Sequence, residues 1–251
     1  MTSRLLIVPA AGLGSRLAAD RPKLLVSVGG VPMIDRILKL FSGVVSAAVV
    51  VVNPAFEPDV RRHLGGSPVI VSTVVQSRPT GMLDAIMLAG EAVRTAIPDE
   101  VWIVWCDQVA IHPATVQRLA GMAASHPALA LPTVTRQHPY VHLRRDARGR
   151  IDAVLHRREG DAMPETGESD MGLFALSREA YVDLLPAFAR EVSTGSATGE
   201  RNFLPFIAWV SRRRDVVTFA ATDQMEAVGV NTPEELRAVE RYLSERERTA
   251  S

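Results

Sequence analysis

The stretch PAAGLGSRLAADRPKLL, from Pro9 to Leu25, sets Gly12 and Gly14 ahead of Arg16, Pro22 and Lys23. Glycines just after a strand let backbone N–H groups come close to phosphate oxygens and form an anion-binding concavity. Two cations beside such a loop suit a ligand with more negative charge than one phosphate. A dinucleotide fingerprint would need glycine where Leu17 stands, and no G-K-[ST] follows at the spacing of a P-loop. Lys23 is distinctive in type as well as place. Of the 28 basic residues only Lys23 and Lys39 are lysines, so surface charge in this chain is otherwise arginine. A compact ammonium at a close phosphate contact is not interchangeable with a guanidinium.

Short β-branched runs must position these groups. LLIVP (Leu5–Pro9), AAVVVVN (Ala47–Asn53), VIVSTVV (Val69–Val75) and VWIVWCD (Val101–Asp107) have strand length, are apolar on both faces and are bounded by Gly, Pro, Asn or Asp. Between them, Pro32–Phe41, Ala55–Leu64 and Thr80–Arg94 carry helical spacing. Strands apolar on both faces and separated by helices imply a parallel sheet covered on both sides. Such sheets hold ligands at the carboxyl ends of their strands. Pro9, Ala10, Ala11, Gly12 and Gly14 are therefore expected to share one site with Gln76–Gly81, Asp107 and Asn231.

Past about residue 135 the rhythm changes. YVHLRRDARGRIDAVLHR reads as a hairpin turning at Asp146–Gly149, and Met171–Ser177 and Asp215–Ala220 read as strands. Arg178–Ala189, Arg201–Arg213 and Thr232–Glu247 read as helices, the last with Thr232 as N-cap. The expected architecture is α/β: a Rossmann-like, mostly parallel sheet with helices on both faces and an inserted mixed-strand region walling one side of a cleft. One domain over 1–251 would divide into 1–135, 136–230 and a C-terminal helix over 231–251.

The glycine, Arg16, Pro22 and Lys23 segment resembles that of nucleotidyltransferases acting on a phosphorylated acceptor, a group including sugar-1-phosphate nucleotidyltransferases and molybdenum-cofactor guanylyltransferase-like proteins. The resemblance extends over nearly the whole chain and is nearest to the pyrophosphorylase domain of N-acetylglucosamine-1-phosphate uridylyltransferases. QSRPTGMLDAI resembles the segment that reads the base, VWIVWCDQ carries Asp107 where the family has a metal-binding Asp, and GERNFLPFIA resembles a helix-opening G-E segment. GVNTPEEL places Asn231 where the family has a second metal ligand. The resemblance implies a nucleoside triphosphate and a small phosphorylated acceptor as substrates, with release of pyrophosphate. It implies that Pro9, Ala10, Ala11, Gly12, Gly14, Gln76 and Gly81 bind the nucleotide. Arg16 would hold the triphosphate, Lys23 would contact the α-phosphate or the acceptor phosphate, and Asp107 with Asn231 would bind Mg²⁺. One carboxylate and one amide carbonyl suffice for a hard ion whose octahedron phosphates and water complete. In ETGESDMGLFAL, Asp170 stands where the uridylyltransferases have Asn, and His156 falls near the place of a sugar-contacting Glu. Glu168 and Asp170 are nevertheless expected to accept hydrogen bonds from acceptor hydroxyls. A non-sugar acceptor (an alcohol phosphate, choline phosphate or a pterin) and a catalytically silent nucleotide-binding regulator are the alternatives.

Composition excludes other classes. Lys plus Arg and Asp plus Glu are 28 each, so the formal charge is zero and no broad basic field exists for nucleic acid. The single cysteine, Cys106, forms no intrachain disulfide, which fits a reducing, cytoplasmic setting. Pro9 interrupts the N-terminal apolar stretch, against a signal peptide. The run ending at Val52 is about half of the ~20 residues a membrane helix needs. His138, His142 and His156 lack the spacing of a zinc site. The base, the acceptor and the oligomeric state stay open at this level.

Overall fold

A computed structural model describes residues 2–12, 17 and 21–250; the expectations for Gly14 and Arg16 lie outside the described residues. Among the described residues twelve strands form: β1 (Arg4–Ala10), β2 (Ser27–Val28), β3 (Val31–Pro32), β4 (Ala47–Val52), β5 (Ile70–Val75), β6 (Glu100–Val104), β7 (Leu129–Gln137), β8 (Val141–Arg145), β9 (Ile151–His156), β10 (Thr166–Asp170), β11 (Leu173–Ser177) and β12 (Val216–Ala220). The α-helices are α1 (Met33–Phe41), α2 (Glu57–Leu64), α3 (Met82–Leu88), α4 (Gly90–Ala96), α5 (Pro113–Ala123), α6 (Leu185–Glu191), α7 (Pro205–Ser211) and α8 (Pro233–Ala250).

The main sheet has eight strands. β5, β4, β1 and β6 pair in parallel, and β11 then pairs antiparallel with β6. β10 and β11 both pair antiparallel with β7, and β12 pairs parallel with it. Because β1 is apolar from Leu5 onward, alternate residues feed two cores. Leu6 and Val8 join one with residues of α1, α2, α5 and α8. Leu5 and Ile7 join the other, with α3, α4, α6, α7 and the β8–β9 hairpin. Helices thus cover both faces, as a parallel sheet with apolar strands requires. The resulting carboxyl ends of β1, β5 and β6 leave Ala11, Gln76 and Asp107 along one rim.

Several elements differ from the sequence expectation. The single helix expected over Thr80–Arg94 is α3 followed by α4, with the break at Ala89, just ahead of Gly90. Glycine is a poor helix interior residue. The strand expected over Met171–Ser177 begins only at Leu173, because Gly172 takes φ +67° and breaks the run into β10 and β11 along one side of β7. β7 itself had no sequence signal, since Pro132 argues against an interior strand; it is accommodated opposite Phe219 of β12. No helix among the described residues is long and apolar enough to cross a membrane.

Candidate active site

Lys23 opens a short 3-10 turn, Lys23–Leu25, that Leu24 anchors in the core. Its ammonium donates to Asp107 Oδ2 at 2.6 Å and to Asn231 Oδ1 at 2.7 Å. Residues far apart in the chain thus converge on one cation. Their loops are tied as well, since the Val230 N–H donates to the Asp107 carbonyl at 3.1 Å. Asn231 is oriented by the start of α8. The Glu235 carboxylate accepts from the N–H groups of Asn231 and Thr232 at 2.8 and 2.9 Å, while the Glu235 N–H donates to Thr232 Oγ1 at 3.2 Å. This reciprocal capping box satisfies the helix's first donors. The Asn231 amide nitrogen donates to the Gly229 carbonyl at 3.2 Å, which leaves its oxygen facing Lys23. Gly229 packs closely here: a Cβ on it would lie 3.2 Å from Asn231 Nδ2 and from the Asp107 carboxylate, and those side chains would have to give by a few tenths of an ångström. The neighbouring Cys106 thiol is pushed up to about 12 by burial and then by the Asp107 charge, so it is no nucleophile at neutral pH.

Two cavities lie nearby, and Asp107 and Asn231 line the larger of them. The smaller, about 160 Å³, is lined by Pro9, Ala11, Gly12, Gln76 and Gly81, five of the residues singled out from the sequence. Ala10 is buried at the end of β1 and does not line it. Gln76 Nε2 donates to the Gly81 carbonyl at 3.1 Å, so the side chain is fixed across the mouth of the loop. Gly81 has φ +116°, and a Cβ on it would meet the Arg201 backbone nitrogen and oxygen at 2.5 Å. Only glycine admits this approach. The Arg201 N–H donates to the Thr80 carbonyl at 2.8 Å, and the Leu83 N–H to the Arg201 carbonyl at 3.0 Å.

The larger cavity, about 460 Å³, is lined by Asp107, Asn231 and Asp170 together with Gln108, Arg136, His138, Tyr140, His156 and Arg158. Met82 and Glu200 line both cavities, so the two spaces adjoin. Burial pushes the Asp170 carboxyl up to about 6, against the hydrogen bond its Oδ1 accepts from the Gly172 N–H at 2.7 Å. Glu168 is not brought to this cavity. Arg145 of the hairpin holds its two oxygens with Nε and Nη2, each at 2.7 Å, and Arg145 also donates to Thr218 Oγ1 at 2.8 Å. The carboxylate expected to bind an acceptor hydroxyl is therefore occupied in a bidentate pair joining β10, β8 and β12.

Several lining residues escaped the sequence. Gln108 and Trp105 had a usable signal, since they flank Asp107 at a strand end. Glu200 lay in the GERNF segment but was read as helix-opening, whereas α7 begins only at Pro205. Arg158 carried no signal; it lines the cavity and sits 3.6 Å from Glu200.

Comparison with known proteins follows the same outline. Residues 6–169 match the model of the MobA-like NTP transferase domain. The bifunctional protein GlmU of Cereibacter sphaeroides is 29% identical over 248 residues, covering 98% of this chain and 53% of that protein. The bifunctional protein GlmU of Alkalilimnicola ehrlichii is 30% identical over 248 residues, covering 96% and 51%. The chain thus spans about half the length of the curated relatives it matches. A Bacillus anthracis protein assigned as a glucose-1-phosphate thymidylyltransferase, solved with sucrose, shares the fold with a TM-score of 0.77 at 17% identity, over 95% of this chain and 94% of that one. With the match running through the glycine loop, Gln76, Lys23 and Asp107, the chain belongs to the MobA-like NTP transferase domain family of nucleotidyltransferases.

Proposed function

We propose that this protein joins a nucleoside triphosphate to a sugar 1-phosphate and releases pyrophosphate. The observation that carries this reading is the convergence of Lys23, Asp107 and Asn231, with Asp107 and Asn231 on the wall of the larger cavity. The smaller cavity, with its glycine-lined wall and Gln76, takes the base and nucleoside, and the larger takes the acceptor. A phosphate oxygen of the acceptor attacks the α-phosphorus, the bond to the bridging oxygen breaks, and pyrophosphate leaves. The nucleophile arrives ionised, so no general base is required. What the chain must supply is alignment and neutralisation of charge on the phosphoryl oxygens. Lys23 supplies a point charge for the α-phosphate, and Arg16 for the outer phosphates.

The residues fit a divalent cation. Asp107 Oδ2 and Asn231 Oδ1 already share one positive charge, the Lys23 ammonium, at 2.6 and 2.7 Å. Both are hard oxygens of the kind Mg²⁺ prefers. They would hold the ion, which when bound offsets negative charge on the transferring phosphoryl group. Lys23 then has a phosphoryl oxygen as its alternative partner.

Pyrophosphate release measured with each nucleoside triphosphate, Mg²⁺ and a panel of hexose and N-acetylhexosamine 1-phosphates, with phosphocholine alongside, tests the reading. Release should require both a triphosphate and a sugar 1-phosphate. Preference for phosphocholine would overturn the acceptor, and triphosphate binding without turnover on any phosphate would make the chain a sensor.

A further inference from the structure

Among the described residues four buried side-chain atoms that can hydrogen-bond have no partner: Glu100 Oε1, Glu226 Oε1, Gln108 Oε1 and His156 Nδ1. Such atoms are rare in folded proteins and each calls for a reason. The two glutamates do structural work through their other oxygens. Glu100 Oε2 accepts from Arg4 Nε and Trp102 Nε1 at 2.8 Å each. Glu226 Oε2 accepts from the His112 N–H at 2.7 Å and Thr115 Oγ1 at 2.6 Å. Neither lines a cavity described above. Gln108 and His156 both line the larger one.

Their placement is built. Gln108 is 7% exposed, and its side chain lies against Gly172, where a Cβ would stand 2.9 Å from Gln108 Cγ and collide with the Trp105 ring. The same glycine holds Asp170 through its N–H. Gly172 thus makes room for one cavity residue and orients another. His156 stands edge-on to Tyr140, ring centroids 5.0 Å apart at 80°. Burial lowers its pKa below the ordinary imidazole value, although Glu159, Asp161 and Glu200 pull the other way and Arg158 adds to the lowering. A neutral ring with its proton on Nε2 presents Nδ1 as an acceptor.

We propose that Gln108 Oε1 and His156 Nδ1 each accept a hydrogen bond from a different hydroxyl of the acceptor sugar and so determine which sugar phosphate is used. This rests on reading the larger cavity as the acceptor side. Sites that hydrogen-bond a substrate hydroxyl reject analogues lacking it far more strongly than apolar walls do, because the buried polar group is then left unpaired.

Fluorine fills the place of a hydroxyl but cannot donate. Using the best sugar 1-phosphate and its singly deoxyfluorinated analogues, the enzyme should discriminate by about tenfold or more against at least two positions. Gln108→Leu should erase discrimination at one position and His156→Phe at another, while calorimetric affinity for the triphosphate alone stays unchanged. Neither variant should melt lower than the parent, because each removes an orphaned polar atom while keeping shape; Gln108→Met serves as a second isosteric probe. A uniform loss across all analogues, weakened triphosphate binding, or lowered melting in both Gln108 variants overturns the assignment. If the parent turns over sugar phosphates and only the selectivity result fails, this assignment alone falls. If the parent turns over none, the functional reading falls with it.

Discussion

Lys23 Nζ is shared by two oxygens at 2.6 and 2.7 Å, with the Lys23 and Asp107 side chains 12% and 14% exposed. Removing the ammonium leaves a largely buried carboxylate without its cation, which is far costlier than losing a surface pair. Lys23→Met should therefore melt lower by the equivalent of about 2 kcal/mol, and Mg²⁺ should recover more stability in the variant than in the parent, because the ion no longer competes with the ammonium. Thermal melting of both proteins across a Mg²⁺ titration measures this; equal shifts would mean that the ion does not use these oxygens. Lys23→Arg keeps the formal charge at zero, yet turnover should fall about tenfold or more, since a broad planar cation cannot occupy the point between Asp107 and Asn231. Much at this scale was legible: the scarcity of lysine and the polar positions at strand ends pointed to Lys23, Asp107 and Asn231, which the fold brings together. Glu168 was not legible. It shares a strand face with Asp170 two residues away, about 7 Å along. Only the folded hairpin reveals that Arg145 takes its carboxylate.

Elements position the site through backbone conformations that side chains could not adopt. At the entry to α3, Gly81 has φ +116° with the Arg201 backbone 2.5 Å from where a Cβ would be. Gly81→Ala must either move Arg201, breaking its bonds to Thr80 and Leu83, or strain the turn. We expect a loss of about 2 to 4 kcal/mol in denaturant unfolding, and a weaker triphosphate complex in calorimetry, since Gln76 is anchored on the same carbonyl. An alanine variant with parental stability would show that Arg201 yields freely. The parallel half of the sheet was readable because β1, β4, β5 and β6 are built on largely apolar runs bounded by Gly, Pro, Asn or Asp. The antiparallel half was harder. β7 carries an interior proline, and β10 reads TGESD, whose Gly167, Glu168 and Ser169 look like loop residues. What makes it a strand is pairing with β7 from Thr133 to Gln137, a long-range fact with no local signal.

The whole molecule carries 28 positive and 28 negative side chains, so its acid stability is decided by particular perturbed carboxylates rather than by net repulsion. Glu168, held by hydrogen bonds from Arg145 and Thr133 that outweigh its burial, lies below the ordinary value. Its contribution is present near neutrality and fades as acid protonates it. Asp170 runs the other way. Burial raises it from 3.8 to about 6, so between about pH 4 and pH 6 the folded state binds more protons than the unfolded chain, and stability from this group falls as pH rises through that window. Near neutrality the charged carboxylate costs at most about 3 kcal/mol, the free energy of roughly two pK units. Asp170→Asn keeps an oxygen for the Gly172 N–H and removes the buried charge. The variant should be more stable than the parent at pH 7.5, and most of that advantage should be gone on acidification to about pH 4, where the parent's carboxyl is protonated in the folded state and close to half protonated in the unfolded chain. Urea unfolding of the two proteins from pH 4 to 8 reads this directly. An advantage constant with pH would place the effect in packing rather than in titration. The same substitution should weaken use of the sugar phosphate while sparing triphosphate affinity, because Asp170 lines only the larger cavity. Under the proposed function, stability at neutral pH is exchanged for a carboxylate able to accept hydrogen bonds in the cavity assigned to the acceptor.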